Sequence, residues 1–221
     1  MQNWCVYATA SVGVLTCAAA AQGVIIDTFE TAQALLIANA GTPTDASVVN
    51  GAGILGGERQ LEAQYVAGPG SVTSVVESGR LGYGATAGTN GRSDVQWPAS
   101  GNSLGGVDLT EGGTDTAFAL DVFQIDSGLT VSFTVEDTGA NVSTGDLILP
   151  PNIVVPTTFF LQYADLTGSA DLTAIDRIQM LIIAPINETD AVFESLRTDV
   201  PTPSAASVLA IAGAGLLRRR R

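Results

Sequence analysis

The sequence predicts an all-β fold in which two antiparallel sheets pack face to face as a single β-sandwich. Three observations point to this fold class. Short stretches of alternating apolar and polar residues recur, Gly, Ser, Thr, Asp and Asn separate them, and no long segment of the body follows a helical period. Many short strands separated by turns about every 8–12 residues are typical of a sandwich or a barrel.

The clearest strand signal lies at residues 129–136, Leu-Thr-Val-Ser-Phe-Thr-Val-Glu. A period of two places its four apolar side chains on one buried face. Similar, weaker patterns predict strands, in chain order, at 24–30, 59–65, 72–76, 118–122, 158–163, 178–182 and 191–196. Residues 32–40 fit either a helix or a second strand, and residues 170–176 predict one turn of helix.

Both ends of the chain differ from the body between them. Residues 1–23 hold an uncharged apolar run followed by small residues of the kind found at a signal-peptide cleavage site. We therefore predict a signal peptide over 1–23, a β-sandwich domain over 24–199 and a sorting segment over 200–221. A buried N-terminal helix and lipidation at Cys17 are the alternatives for the first segment.

The body is strongly acidic. All 22 acidic residues lie between Asp27 and Asp199, where five arginines oppose them, so the formal net charge of the body is −17. A surface of this sign repels phosphate backbones, and we predict no nucleic-acid partner. The same surface attracts Ca²⁺, a hard cation that prefers oxygen ligands.

The residue types that are absent exclude most catalytic mechanisms. The chain has no His and no Lys, and both cysteines, Cys5 and Cys17, lie in the signal segment. A Ser-His-Asp triad, a cysteine nucleophile, a lysine Schiff base and an ordinary zinc site are therefore excluded from the mature body.

Paired carboxylates are the one catalytic option left. Glu58 and Glu62 would lie about 13 Å apart along one strand, beyond the roughly 5–9.5 Å that separates the carboxyl groups of glycosidases. The adjacent Glu136 and Asp137 would point to opposite faces of a strand. We predict that the protein is not an enzyme, and a secreted carbohydrate-active hydrolase is the alternative.

Two aromatic residues are candidates for glycan contact. Trp97 precedes Pro98 in a stretch of small and polar residues, and Tyr83 stands between Gly82 and Gly84. An aromatic ring in such a place can form a stacking platform for a sugar. It can equally anchor the chain to the core, and both alternatives stay open for these residues.

Four carboxylates are candidates for a structural Ca²⁺ site. Asp27 and Glu30 lie on or beside the first predicted strand, and Glu194 and Asp199 lie on or beside the last. The first and last strands of a closed sandwich often meet, so carboxylates from both could share one ion. Solvated carboxylates at the rim are the alternative.

The C-terminus consists of a short Pro-x-Pro motif, an apolar run over 204–217 and a basic cluster. The motif is Val200, Pro201, Thr202 and Pro203, and the cluster is Arg218, Arg219, Arg220 and Arg221. As a helix the apolar run spans about 21 Å, less than the ~30 Å of a hydrocarbon core. A short span with a positive end fits brief retention in a membrane rather than permanent anchoring.

This three-part order resembles the PEP-CTERM sorting signal of bacteria with a Gram-negative type of envelope, with Thr202 where that family usually has Glu. The resemblance implies export, transient anchoring in the inner membrane and cleavage by an exosortase-like membrane transpeptidase. It implies a final place at the cell surface or in the extracellular matrix, usually in association with exopolysaccharide.

The body resembles jelly-roll carbohydrate-binding modules of the galactose-binding-like group at residues 25–30, 160–166 and 171–180. That resemblance implies a jelly-roll sandwich, a glycan ligand and a structural Ca²⁺ between the first and last strands. We therefore predict an exported, non-catalytic surface or matrix protein that binds exopolysaccharide or another glycan. An adhesin or self-assembling coat component is a further alternative.

Overall fold

The computed structural model describes residues 23–184 and 188–201, which form an all-β domain. Its strands are β1 (Ile25–Asp27), β2 (Gln33–Asn39), β3 (Thr44–Asn50), β4 (Glu58–Ala67), β5 (Ser71–Glu77), β6 (Arg80–Ala85), β7 (Asn90–Trp97), β8 (Ala117–Ile125), β9 (Leu129–Asp137), β10 (Val142–Leu149), β11 (Thr157–Gln162), β12 (Thr167–Gly168), β13 (Ile175–Ile183) and β14 (Thr189–Asp199). Two short 3₁₀ turns lie at Leu55–Gly57 and Tyr163–Asp165.

The strands form two antiparallel sheets. Sheet 1 has the strand order β11-β8-β14-β6-β5-β2, with β1 pairing on β14, and sheet 2 has the order β12-β10-β9-β13-β7-β4-β3. Every strand pair in both sheets is antiparallel. The prediction of an all-β domain with two antiparallel sheets is confirmed.

One hydrophobic core fills the space between the sheets. The apolar side chains of β9 are buried as its alternation predicts, and Phe133 stacks on Phe118 of sheet 1 with ring centroids 5.1 Å apart. Polar contacts also join the sheets, because the hydroxyls of Ser74 and Ser93 lie 2.7 Å apart in a hydrogen bond. The outward faces of the two sheets are left for solvent and ligands.

Two segments for which the sequence allows a helix are not helical. Residues 32–40 contain β2, so the strand alternative is correct. The predicted helical turn at residues 170–176 is wrong, because Ala174 N–H donates to Asp171 in a turn and β13 begins at Ile175. The Asp171 carboxylate accepts from the backbone N–H and the hydroxyl of Thr173, and such side-chain bonds compete with helix formation.

The two ends of the described domain lie side by side. Val24 N–H donates to Thr198 Oγ1 at 2.7 Å, and Thr198 N–H donates to Val24 O at 2.9 Å. A Cβ atom added at Gly23 would lie 1.9 Å from Thr198 O, so the chain enters the sheet through a glycine. The first and last strands therefore come together, as expected for a closed sandwich.

The predicted signal helix and C-terminal apolar helix fall on residues 1–22 and 202–221, outside the described residues. Within 23–184 and 188–201, no helix is long and apolar enough to cross a membrane. The domain boundaries and the sorting segment stay predictions.

Candidate ligand-binding face

The two aromatic candidates lie in the core. Trp97 is the last residue of β7 and is 0% exposed, and its indole N–H donates to Asp27 Oδ2 at 2.8 Å. Tyr83 is 3% exposed and donates its hydroxyl to Gly91 O at 3.1 Å. A sugar cannot stack on a buried ring, so the core alternative holds and the glycan-contact hypothesis is wrong for both residues.

Asp27 is held by an arginine inside the sandwich. Arg59 Nη1 lies 3.0 Å from Oδ1 and 2.9 Å from Oδ2 of Asp27, and both side chains are fully buried. The same carboxylate accepts from Trp97 and from the backbone N–H of Phe29. Arg59 also donates to Gln33 Oε1 and to a backbone carbonyl on the β1–β2 connection. Three donor groups make four hydrogen bonds to this carboxylate, which gives it a structural role.

The other three calcium candidates are exposed or paired with arginines. Glu194 pairs with Arg80 at 2.9 Å, and Asp199 pairs with Arg197 at 3.3 Å, while Glu30 is exposed in the β1–β2 connection. In the described part of the chain, no group of three or more His, Cys, Asp or Glu side chains could hold a metal ion. The structure does not bring the four candidates together, and calcium binding stays a prediction.

The sorting motif straddles the end of the described chain. Val200 N–H donates to Asp199 Oδ1 at 2.7 Å, and Pro201 is the last described residue. Thr202, Pro203 and the four terminal arginines lie beyond it.

The outward face of sheet 2 carries polar side chains in register on its central strands. Gln60 on β4 pairs with Gln96 on β7, which pairs with Gln179 on β13, and in the next row Glu62 pairs with Asp94. On these strands most outward residues are polar and most inward residues are apolar or small. The exceptions are Arg59 on β4, which is buried inward, and Leu181 on β13, which is outward and pairs with Asp94. We define the polar face by Gln60, Glu62, Asp94, Gln96 and Gln179.

Asp94 lies at the centre of the polar face and is only 7% exposed. Its Oδ2 accepts from Gln179 Nε2 at 2.6 Å and from Gln96 Nε2 at 3.3 Å. Its Oδ1 is buried and has no hydrogen-bond partner among the described residues. Burial raises the pKa of the Asp94 carboxyl, the two glutamine bonds oppose that shift, and the nearby Glu62 carboxylate adds to it.

Glu62 stands directly opposite Asp94 on the neighbouring strand. Like charges in that position destabilise a sheet unless a counter-charge or a donor lies between them. Arg92 is the nearest cation on β7, but its Nε donates to Gln64 Oε1 at 2.5 Å, and Gln64 in turn donates to Glu62 Oε1 at 2.5 Å. Among the described residues, no arginine makes an ion pair with either carboxylate.

The sequence alone does not reveal this pair. The spacing of Glu58 and Glu62 is visible in the sequence because both residues lie on one strand. The contact between Glu62 and Asp94 depends on how β4 and β7 pair. The alternation of Arg92, Asp94 and Gln96 with smaller or apolar residues was the available signal that β7 has a polar outward face.

The comparisons with known proteins find structural similarity only. No family model and no curated protein matches the sequence. The family 11 carbohydrate-binding module of the cellulosomal cellulase Lic26A-Cel5E of Clostridium thermocellum aligns at 12% identity over 85% of this chain and 99% of that chain, with a TM-score of 0.42.

Two further solved structures align with this chain at similarly low identity. TmCBM61, solved in complex with β-1,4-galactotriose, aligns at 6% identity over 75% of this chain and 88% of that chain, with a TM-score of 0.33. An exo-β-agarase aligns at 11% identity over 82% of this chain and 26% of that chain, with a TM-score of 0.45. At this level of similarity, the ligand of this chain has to be inferred from its own residues.

Proposed function

We propose that the chain is an exported, non-catalytic protein of the cell surface or extracellular matrix that binds a glycan through the polar face. Asp94 is the observation that carries the proposal. Its carboxylate is almost fully buried, yet Oδ1 has no donor among the described residues. Buried polar atoms are almost always hydrogen-bonded, so this free acceptor is suited to take a donor from a ligand.

The neighbours of Asp94 suit a ligand rich in hydroxyl groups. Gln96 and Gln179 donate to Asp94 through Nε2, and each amide also has an Oε1 atom that can accept from a ligand. An amide both donates and accepts, and a sugar hydroxyl does the same. A row of amides from Gln60 to Gln179 across three strands can therefore bind successive hydroxyls of one saccharide chain.

The proposed location rests on the sequence of the two ends. It comprises removal of the signal peptide, a brief stay in the inner membrane through residues 204–217, and cleavage by an exosortase-like transpeptidase. The pairing of the first strand with the last is consistent with the jelly-roll assignment that forms part of this proposal.

Retention on immobilised exopolysaccharide from the source organism tests glycan binding. We expect retention of the full chain, and we expect Gln179→Ala to weaken it about tenfold because that residue bonds Asp94 on the polar face. Gln124→Ala, on the outward face of sheet 1, is the matched control and should bind normally. No retention of the wild type, or equal losses in both variants, would contradict the proposal.

A carbohydrate hydrolase is the second candidate, and the pair of Glu62 and Asp94 is what favours it. Glycosidases use two carboxyl groups about 5–9.5 Å apart, and these two residues face each other across adjacent strands. Reducing-sugar release from polysaccharide that disappears in Glu62→Gln would support catalysis. Retention without release would leave the binding function alone.

A further inference from the structure

We infer that the ligand of the polar face is a glycan that carries free amino groups, and that an ammonium group binds between Asp94 and Glu62. This inference rests on the proposed glycan-binding function and names the ligand class. It is carried by the buried, unpartnered Oδ1 of Asp94 and by the carboxylate that faces it across the sheet.

Both side-chain bonds to the Asp94 carboxylate end on the other oxygen, because Gln179 on β13 and Gln96 on β7 donate to Oδ2. Oδ1 is left free of them, and Glu62 on β4 is the residue in register with Asp94. A group placed between these two side chains meets acceptor oxygens from both strands.

The charges at this point select among sugar classes. A uronate or sulfate would place a third negative charge beside Glu62 and Asp94. A neutral hydroxyl would supply one donor but no counter-charge. An ammonium group supplies three donors and a positive charge, and bonds between ionised partners are roughly twice as strong as neutral ones.

The burial of Asp94 further increases its preference for an ammonium group over a hydroxyl group. Asp94 is 7% exposed, and electrostatic attraction strengthens as water is excluded. Its neighbours on the face, Glu62 and Gln96, have long side chains with several rotatable bonds. A turn of such a side chain would open a path for a ligand to Oδ1.

The net charge of the body requires a control, because an acidic domain attracts any polycation. Asp146 on β10 is an exposed carboxylate on the same outward face, where it accepts from the Ser132 hydroxyl. Removing its charge changes the overall field by as much as removing the charge of Asp94. Only the loss at Asp94 removes the proposed contact.

The experiment compares three oligosaccharides of equal length, made of glucosamine, N-acetylglucosamine or galacturonate. Titration calorimetry on the full chain at about pH 6 and roughly 0.15 M salt measures each affinity. The first two ligands share a backbone and differ in the amino group. We expect the glucosamine oligomer to bind about tenfold more tightly than its acetylated counterpart, and the galacturonate oligomer not to bind.

Asp94→Asn is the decisive variant. Gln96 and Gln179 both donate at the Oδ2 position, so the asparagine carbonyl takes that place and its NH₂ replaces Oδ1. A donor then faces the ammonium group, and the tenfold preference should fall to about one. Glu62→Gln should lower the preference as well, whereas Asp146→Asn should retain it.

The outcomes separate the two proposals. Failure of all three oligosaccharides to bind overturns the ammonium site, and the glycan-binding function fails with it only if the wild type is also not retained on exopolysaccharide. Binding of the neutral and amino oligomers with equal affinity overturns the ammonium site and leaves the function standing. An undiminished preference in Asp94→Asn and in Glu62→Gln, or an equal loss in Asp146→Asn, also overturns the ammonium site.

Discussion

Arg59 and Asp27 show how one residue pair can fix the interior of a sandwich. Arg59 comes from β4 of sheet 2 and Asp27 from β1, which pairs on sheet 1. Gln33 extends the contact, because it accepts from Arg59 and donates to Ser47 on β3. The polar cluster therefore joins both sheets inside a mainly apolar core.

Breaking this pair should be far more harmful than breaking an exposed one. Asp27→Asn leaves the buried guanidinium without a counter-charge, and we expect a loss of about 3–5 kcal/mol in the free energy of unfolding. Glu194→Gln is the control, since its pair with Arg80 is more than one-third exposed and should contribute no more than about 1 kcal/mol. Urea denaturation measures both, and similar losses would contradict the structural role of Asp27.

Asp137 organises the turn after β9. Its carboxylate accepts from the backbone N–H groups of Asp171, Gly139 and Asn141 and from the Asn141 side chain. The bonds from Asp171 and Asn141 are the main causes that lower the pKa of Asp137 from 3.8 to about 2. The folded state therefore binds this proton less readily than the unfolded chain does.

The lowered pKa predicts an acid-sensitive contribution to stability. Because the folded pKa lies below the unfolded one, the contribution of Asp137 is complete above about pH 4 and is lost as the pH falls through about 2. Asp137→Ala should unfold more readily at pH 7 and lose less stability on acidification, while Asp165→Ala at an exposed site should behave as the wild type. Thermal melts between pH 7 and 2 measure this, and parallel curves would disprove it.

At the scale of the strands, the sequence predicted those strands in which bulky apolar side chains alternate with polar ones. Strands with bulky inward residues were predicted, β9 at nearly its full length and β13 over its central part, residues 178–182. β6 and β7 were missed, because β6 carries Gly82 and Gly84 outward and β7 carries Gly91 and Ser93 inward. Small residues give no apolar alternation, although the backbone there is as regular as in β9.

The missed strand β7 owes its small residues to close packing. A Cβ at Gly91 would lie 2.1 Å from Val72 Cγ2 of sheet 1 and 2.5 Å from the backbone oxygen of Gln64. The position is inward and confined by backbone as well as side chain. Only a residue without a Cβ fits between the two sheets there.

Gly91→Ala should therefore destabilise the domain by about 2–3 kcal/mol through overpacking. Gly82→Ala is the matched control, because a Cβ at that outward strand position would lie 3.3 Å from Val75 Cγ1 and can be accommodated by a small shift. Denaturation midpoints of the two variants test the contrast. Equal stabilities would show that the two sheets move apart enough to accommodate a methyl group at position 91.

At the scale of the whole molecule, the sequence predicted composition-dependent properties better than the site. The acidic body, the two-sheet architecture and the pairing of first and last strands followed from residue types and pattern. The polar face did not, because Glu62 and Asp94 meet only through strand register between segments 32 residues apart. Trp97 and Tyr83 were candidates for glycan contact because the sequence alone does not show which aromatic rings are buried in the core.

The processing prediction also concerns the whole molecule. If residues 200–221 act as a sorting signal, secreted material should lack Arg218–Arg221, and its intact mass should be lower than that of the full chain by at least the mass of that segment. In cells that lack the gene for the exosortase-like enzyme, the cell-associated protein should retain the arginines. Secreted protein that retains them would exclude this route.

The pairing of β1 with β14 makes the fold nearly cyclic. Because Val24 and Thr198 are hydrogen-bonded neighbours, a linker of about six residues should join Gly23 to Pro201 without disturbing either sheet. New ends could open between Gly112 and Gly113, in an exposed loop far along the sequence. Such a circular permutant should fold with nearly the wild-type melting temperature. Its polar face would be intact, and its termini would lie away from the junction of β1 and β14.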